Sequence, residues 1–268
     1  MNLATLEMRL SSTRQPALLD SSAMPLPVLL IHGHTLDARM WHAQIAALEG
    51  QFEVIAPTLR GYGDSVQPEG ACSHADDLIA LLEARVVARV HIAGLSLGGN
   101  IALEIAVRFP ERVATLALLD SSLKGFAPDA AQLEIGHVVQ RAFESGGLEP
   151  ARAAWLSAPL FAAARENAAL RQQLEAWVAG YSGWHWTRSV SPSAQIPDLS
   201  QRLSEVTAPT LIAVGKRDTA YSHSVAHALH AGIANSRLEV IAGAGHMVNL
   251  ERPKMVNALL LEHFGRGG

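Results

Sequence analysis

Residues 94–99 read Gly-Leu-Ser-Leu-Gly-Gly, between a β-like stretch, Arg89-Val90-His91-Ile92-Ala93, and a run of helical spacing from Asn100 to Phe109. In that run Ile101, Ile105 and Phe109 fall on one face, and Pro110 ends it. Ser96 therefore stands at a strand-to-helix turn flanked by glycines. A turn this tight leaves no room for a Cβ two residues either side of the serine, which accounts for Gly94 and Gly98. The serine oxygen is pushed out over the strand ends, at the start of a helix whose first backbone N–H groups lack partners. That is where a nucleophile belongs. The competing reading is a glycine-rich turn that only packs a helix onto a strand.

A serine hydroxyl is a poor nucleophile near neutrality. It needs a base, and the base needs an acid to orient it. Near the C-terminus the strand-like Arg237–Ile241 leads into Ala242-Gly243-Ala244-Gly245-His246, which puts His246 on a glycine-rich loop at a strand end. Upstream, the apolar run Thr210–Val214 ends in Gly215-Lys216-Arg217-Asp218. Ser96, Asp218 and His246 each follow the C-terminal end of a predicted strand, on the rim where parallel α/β sheets place their sites. Asp120, at the end of the run Val113–Leu119, is a rival for the orienting acid. Ser121 and Ser122 beside it read as turn residues.

Four segments in order resemble the α/β-hydrolase superfamily. His32-Gly33-His34-Thr35 follows the buried run Val28–Ile31, and Leu59-Arg60-Gly61-Tyr62-Gly63-Asp64-Ser65 follows Glu53–Ala56. The turn at Gly94–Gly99 is the third, and His246-Met247-Val248-Asn249-Leu250-Glu251-Arg252-Pro253 is the fourth. The likeness covers residues 25–122 and 205–265, and within the superfamily it is to the serine esterase and lactonase group, 3-oxoadipate enol-lactonase-like and haloperoxidase-like. It implies a nucleophile, acid and base at Ser96, Asp218 and His246, and an oxyanion hole from the main-chain N–H groups of His34 and Leu97. No cofactor is implied. Ser96 argues against dehalogenases and epoxide hydrolases, which carry Asp there. Met247 replaces the Trp typical of carbon–carbon hydrolases, and Leu97 the Met usual in haloperoxidases.

The pattern of elements agrees. Strands are expected at 3–10, 15–20, 27–31, 53–56, 89–94, 113–119, 209–214 and 236–241, and helices at 37–49, 73–87, 97–109, 222–232 and 248–264. This alternation argues for an α/β fold with a mostly parallel, doubly wound sheet. Residues 123–205 break it, being rich in Ala and Leu and punctuated by Gly146-Gly147, Pro159, Gly180 and Pro192. Propensity alone gives several short helices there. The resemblance implies a helical cap over the nucleophile at 123–205, with the hydrolase core at 1–122 and 206–268. Trp155, Phe161, Trp184 and Trp186 of this segment are candidates for lining an acyl or alcohol pocket, alongside Tyr181 and His185.

Composition narrows the partners. With 49% hydrophobic and 17% charged residues in 268, the chain can bury a sizeable core. A net charge of −4 leaves no footprint for nucleic acid or an anionic membrane. Cys72 is the only cysteine, the N-terminal residues lack a signal-peptide core, and no apolar run reaches membrane-spanning length, so a cytoplasmic protein is expected. His32 and His34 could be read as paired metal ligands, but no matching later ligands accompany them; no metal is expected. His32 reads as a brace for its loop, and the Arg60–Asp64 glycines as a structural turn.

The expectation is a hydrolase cleaving a small, largely apolar carboxylic ester or lactone through an acyl-enzyme, with an acid limb starting from the ordinary histidine value of about 6.5. Carbon–carbon hydrolysis or perhydrolysis on the same residues is the alternative, as is a ligand receptor built on this fold. Oligomeric state leaves no mark on the sequence.

Overall fold

The computed structural model describes residues 25–70, 72–191 and 194–266. The strands expected at 3–10 and 15–20 lie outside these residues. Among the described residues six strands form one sheet: β1 (Val28–Ile31), β2 (Val54–Ile55), β3 (Val90–Leu95), β4 (Val113–Leu119), β5 (Thr210–Gly215) and β6 (Ser236–Ile241). All neighbours are parallel, in the order β2-β1-β3-β4-β5-β6. The central strands are buried along their whole length, which is why they read as continuous apolar runs without alternation.

Both faces of the sheet carry a core. Leu29, Ile31, Ile92, Leu116, Leu118, Ile212 and Val214 belong to one cluster, whereas Val28, Leu30, Ala93, Leu95, Ala117, Leu119, Leu211 and Ala213 belong to the other. The alternation follows from the period of two along a strand. The first face is covered by α2 (His74–Ala84), α3 (Leu97–Arg108) and α9 (Ala220–Gly232); the second by α1 (His42–Leu48) and α11 (Pro253–Gly265).

The expected helix at 37–49 divides into a 3-10 turn, Ala38–Trp41, and α1. The run expected at 248–264 also divides, into α10 (Val248–Glu251) and α11. The break is Arg252, at φ −134° and ψ 54°, because the ring of Pro253 disfavours helical geometry in the residue before it. Pro253 then opens α11, where its missing N–H costs nothing.

From β1 the chain goes out to the edge strand β2 and returns to β3 on the other side of β1, before proceeding one way to β6. The switch of direction lies between β1 and β3, where Ile31 is paired with Gly94. Loops leaving these two strands diverge there and open a crevice at the carboxyl rim. The described residues between β4 and β5 form five α-helices, α4 (Ala130–Gly146), α5 (Leu148–Leu156), α6 (Ala162–Arg165), α7 (Ala168–Ala179) and α8 (Trp184–Thr187). They touch the rim at several loops: Trp155 Nε1 donates to Thr35 Oγ1 (2.7 Å), Trp184 Nε1 to the Pro68 carbonyl (3.0 Å), and Glu166 pairs with Arg217.

Candidate active site

Ser96 is held at φ 54° and ψ −112°, a conformation that L-residues rarely adopt. Such strain, of order 1–3 kcal/mol, persists only where the surroundings over-determine it. They do here. A Cβ on Gly94 would overlap the backbone of Gly98 and Gly99, and one on Gly98 would overlap the carbonyls of Ile31 and His32. Helix α3 begins at Leu97 directly after the serine, and the Ser96 N–H is tied to the Leu119 carbonyl at 2.9 Å.

The expected base and its expected acid come from neighbouring strand ends. His246 follows β6 and Asp218 follows β5, and His246 Nδ1 lies 2.7 Å from Asp218 Oδ2. The other Asp218 oxygen accepts from the Thr219 N–H at 2.7 Å. A Cβ on Gly215 would strike the Ala244 and Gly245 carbonyls, so only glycine lets the two loops come this close. With Nδ1 committed to Asp218, Nε2 is the nitrogen left for a proton transfer. Burial disfavours a charged His246, but the adjacent Asp218 carboxylate outweighs this and raises its pKa above 6.5. Burial likewise pushes Asp218 up, and the His246 imidazole with hydrogen bonds from His246, Thr219 and Ser222 brings it below its ordinary value.

Glu251 fixes the histidine loop. Its two carboxylate oxygens accept from the N–H groups of Gly245 (2.6 Å) and Met247 (3.1 Å), one on each side of His246. Glu251 lies five residues beyond His246, across a single helical turn, and that spacing is the one mark of its role in the sequence.

Around β1 the first loop is equally constrained. Thr35 is at φ 64°, its Oγ1 donating to the His34 carbonyl (2.6 Å) while accepting from Trp155 Nε1. His32 is the expected brace, with Nδ1 on the Gly33 carbonyl (2.9 Å) and the Leu59 N–H on Nε2 (3.0 Å). His34 Nδ1 meets Tyr62 Oη at 3.0 Å, and its ring sits edge-on to Tyr62, Trp155, Tyr181, His185 and Trp186. Burial, followed by neighbouring His185 and His32, drives its pKa well below 6.5. The Tyr62 contact gives the turn at Arg60–Asp64 a link to the site that its glycines alone did not signal.

Ser96, His246, Gly33 and His34 line one cavity of about 70 Å³, together with Trp155 and Tyr221. Polar atoms of Asp120, Asp218 and His246 lie within 4.8 Å of one another, the described residues' candidate set for a metal. The short His246–Asp218 contact makes this an acid–base cluster. His32 and His34 do not form the alternative ligand pair, since both nitrogens of the first and Nδ1 of the second are already engaged.

Residues 28–259 match the model of the alpha/beta hydrolase family. The chain belongs to that family. Among its relatives is RutD of Azorhizobium caulinodans, which carries the provisional name of carbamate hydrolase, 28% identical over 246 residues that span 89% of this chain and 91% of the relative. A thermophilic esterase from Thermogutta terrifontis superposes with a TM-score of 0.75 at 29% identity, over 88% of each chain. Est816, described as an N-acyl homoserine lactone degrading enzyme, superposes with a TM-score of 0.73 at 25% identity, over 88% of this chain and 92% of its own.

Within this alpha/beta hydrolase the four expected pocket aromatics separate. Trp155 lines the Ser96 cavity; Phe161, Trp184 and Trp186 do not. Phe161 is fully buried beneath Trp155, with ring centroids 5.5 Å apart. Trp186 packs against Tyr181 at 5.0 Å, inside the core. Trp184 faces a separate cavity of about 300 Å³, bounded also by His74, Glu104, His185 and Ile196. Composition could mark these residues as aromatic but not as facing Ser96, because short irregular helices give no fixed period from which to read a face. Asp120, the rival acid, accepts from Gly215 and Val248 N–H groups rather than contacting a histidine nitrogen. Among the described residues no helix is long and apolar enough to cross a membrane.

Proposed function

We propose that this hydrolase cleaves small carboxylic esters or lactones through an acyl-enzyme on Ser96. The observation that carries the reading is the His246 Nδ1–Asp218 Oδ2 contact of 2.7 Å beside a strained Ser96 that lines the same cavity as His246. Ser96 Oγ attacks the acyl carbon and gives its proton to His246 Nε2. Asp218 holds the imidazole in the required tautomer and stabilises the imidazolium. The main-chain N–H groups of Leu97 and His34 receive the oxyanion, a role that needs no side-chain movement. His246 returns the proton to the leaving alkoxide, then takes one from water, which attacks the acyl carbon and frees Ser96. His34 stays neutral at pH 7 and acts through its backbone.

Helices α4–α8 act as a cap over the nucleophile, a reading supported by the Trp155–Thr35 and Glu166–Arg217 contacts. A cavity of about 70 Å³ favours small substrates, since a single water needs about 10–15 Å³ of such space. The single cysteine fits a cytoplasmic setting. The carbamate relative adds a second reading, because a carbamate carbonyl can be attacked by the same serine route. A turnover screen over p-nitrophenyl esters, lactones and carbamates, repeated with Ser96→Ala, tests both. Turnover confined to carbamates would favour the second reading, and undiminished turnover in Ser96→Ala would remove both, since each needs the Ser96 hydroxyl.

A further inference from the structure

Asp120 is a buried carboxylate that the proposed chemistry leaves unused. It ends β4 at φ 39°, and only 3% of its surface is exposed. Its position is not incidental. Oδ1 accepts from the Gly215 N–H at 2.8 Å, three residues before Asp218, and Oδ2 faces the Val248 N–H at 3.4 Å, two residues after His246. Its own N–H donates to the Ala213 carbonyl at 2.8 Å. One side chain thus ties the loop after β4 to both the acid loop and the base loop.

The titratable groups around it are Asp218 from the loop after β5 and His246 from the loop after β6, with polar atoms within 4.8 Å. Glu251 of α10 acts on His246 beyond them. No arginine or lysine is ion-paired with Asp120 among the described residues. Two carboxylates this close, both buried and with a single imidazole beside them, cannot both be ionised at modest cost. Of the two, Asp218 has the stronger claim to the charge, because it holds His246 Nδ1 at 2.7 Å and the Thr219 N–H at 2.7 Å, with its side chain fully buried.

We propose that Asp120 keeps a proton at neutral pH and offers it as a hydrogen bond to the Asp218 carboxylate, so that the pair carries one negative charge. Asp120 is then a positioning residue. It fixes the orientation of Asp218 against His246 and withholds a second anion that would raise the basicity of the imidazole further. Burial, then the nearby Asp218 charge, raises the Asp120 pKa well above the usual carboxylate range, in keeping with this. The proposal rests on the triad reading above.

The test compares Asp120→Asn, Asp120→Ala and Asp218→Asn. Its readout is the pH dependence of Ser96 labelling by a fluorophosphonate, which needs no knowledge of the substrate, with kcat/KM on a p-nitrophenyl ester beside it. Asparagine replaces a neutral acid by a neutral amide that still has one oxygen for the Gly215 N–H and an NH₂ for Asp218, giving up only the long 3.4 Å contact with the Val248 N–H. The acid limb of Asp120→Asn should therefore stay within about 0.3 pH unit of the parent, with rates recovered to within about threefold, since no charge is removed. Asp120→Ala loses a hydrogen bond to a charged group and should label roughly 10- to 100-fold more slowly. An acid limb about one pH unit or more lower in Asp120→Asn would mean that a second anion had been removed, and would overturn the proposal even if Asp120→Ala does not fold. Parental behaviour of folded Asp120→Ala would overturn it as well. Parental labelling of Asp218→Asn would instead overturn the triad reading, and this proposal with it.

Discussion

Acidification of the buried His74, which lines the cavity beside Trp184 and His185, gives a change in stability that can be worked from the structure. His74 is 7% exposed, and its Nδ1 is buried with no hydrogen-bond partner among the described residues. Burial, then repulsion from His32, His185 and Arg60, lowers its pKa from 6.5 to about 3. The unfolded chain therefore binds a proton below about pH 6.5 that the folded protein refuses until about pH 3. Stability contributed by the neutral form is present above 6.5 and falls as the pH drops through that window. Linkage puts the loss between pH 7 and pH 5 at about 2 kcal/mol from His74 alone, a large fraction of a typical 5–15 kcal/mol. His32, lowered to about 4, acts in the same direction, while His246 and Asp120, whose pKa values are raised, act in the opposite one. The net slope is a sum, so the variant His74→Leu isolates one member. Urea titrations of both proteins at pH 7 and pH 5 should show the variant losing about 2 kcal/mol less than the parent over that interval. At pH 7 it should be no less stable, because it removes an unsatisfied buried polar atom. Equal losses in the two proteins would mean that His74 titrates normally in the folded state, and the reasoning would be wrong.

Asp218→Asn should lower kcat by about 10³- to 10⁴-fold, as it sets the wrong imidazole tautomer, and kcat measured over the pH range will check it. The acid limb of the parent kcat/KM profile should lie above 6.5, because Asp218 raises His246; a limb below 6.5 would contradict the electrostatic account. Trp155→Phe keeps the ring but removes the donor to Thr35 Oγ1, which should cost about 1 kcal/mol, or about fivefold in kcat/KM. Along a p-nitrophenyl ester series, each buried methylene should gain about fourfold in kcat/KM, ending abruptly once the cavity is full. A rate that keeps climbing into long acyl chains would show an open site.

Much of this was legible because it depends on local rules. Gly94, Ser96 and Gly98 identify the elbow since no other residue type fits two positions either side of that turn, and the buried strands announce themselves as apolar runs. Helix ends were less legible. The break at Arg252 depends on one proline ring, and the same apolar spacing runs through it. The sequence favours Asp218 but leaves Asp120 as a rival, because both follow strand ends on the same rim; only Asp218 is in hydrogen-bond contact with His246, and contact is a three-dimensional fact. The pocket aromatics illustrate the limit. Trp155, Phe161, Trp184 and Trp186 share a composition and a segment, yet face different surroundings, because their orientation is set by how short helices pack rather than by period.

The central claim is that Ser96 is the nucleophile activated by His246. Its most direct measurement is intact-protein mass spectrometry after treatment with a fluorophosphonate, followed by mapping of the modified residue, in the parent, Ser96→Ala and His246→Ala. The account predicts a single adduct on Ser96 of the parent, none in Ser96→Ala, labelling slowed by at least roughly 10³-fold in His246→Ala, and no effect of EDTA. An adduct on another residue, or parental labelling without His246, would contradict it.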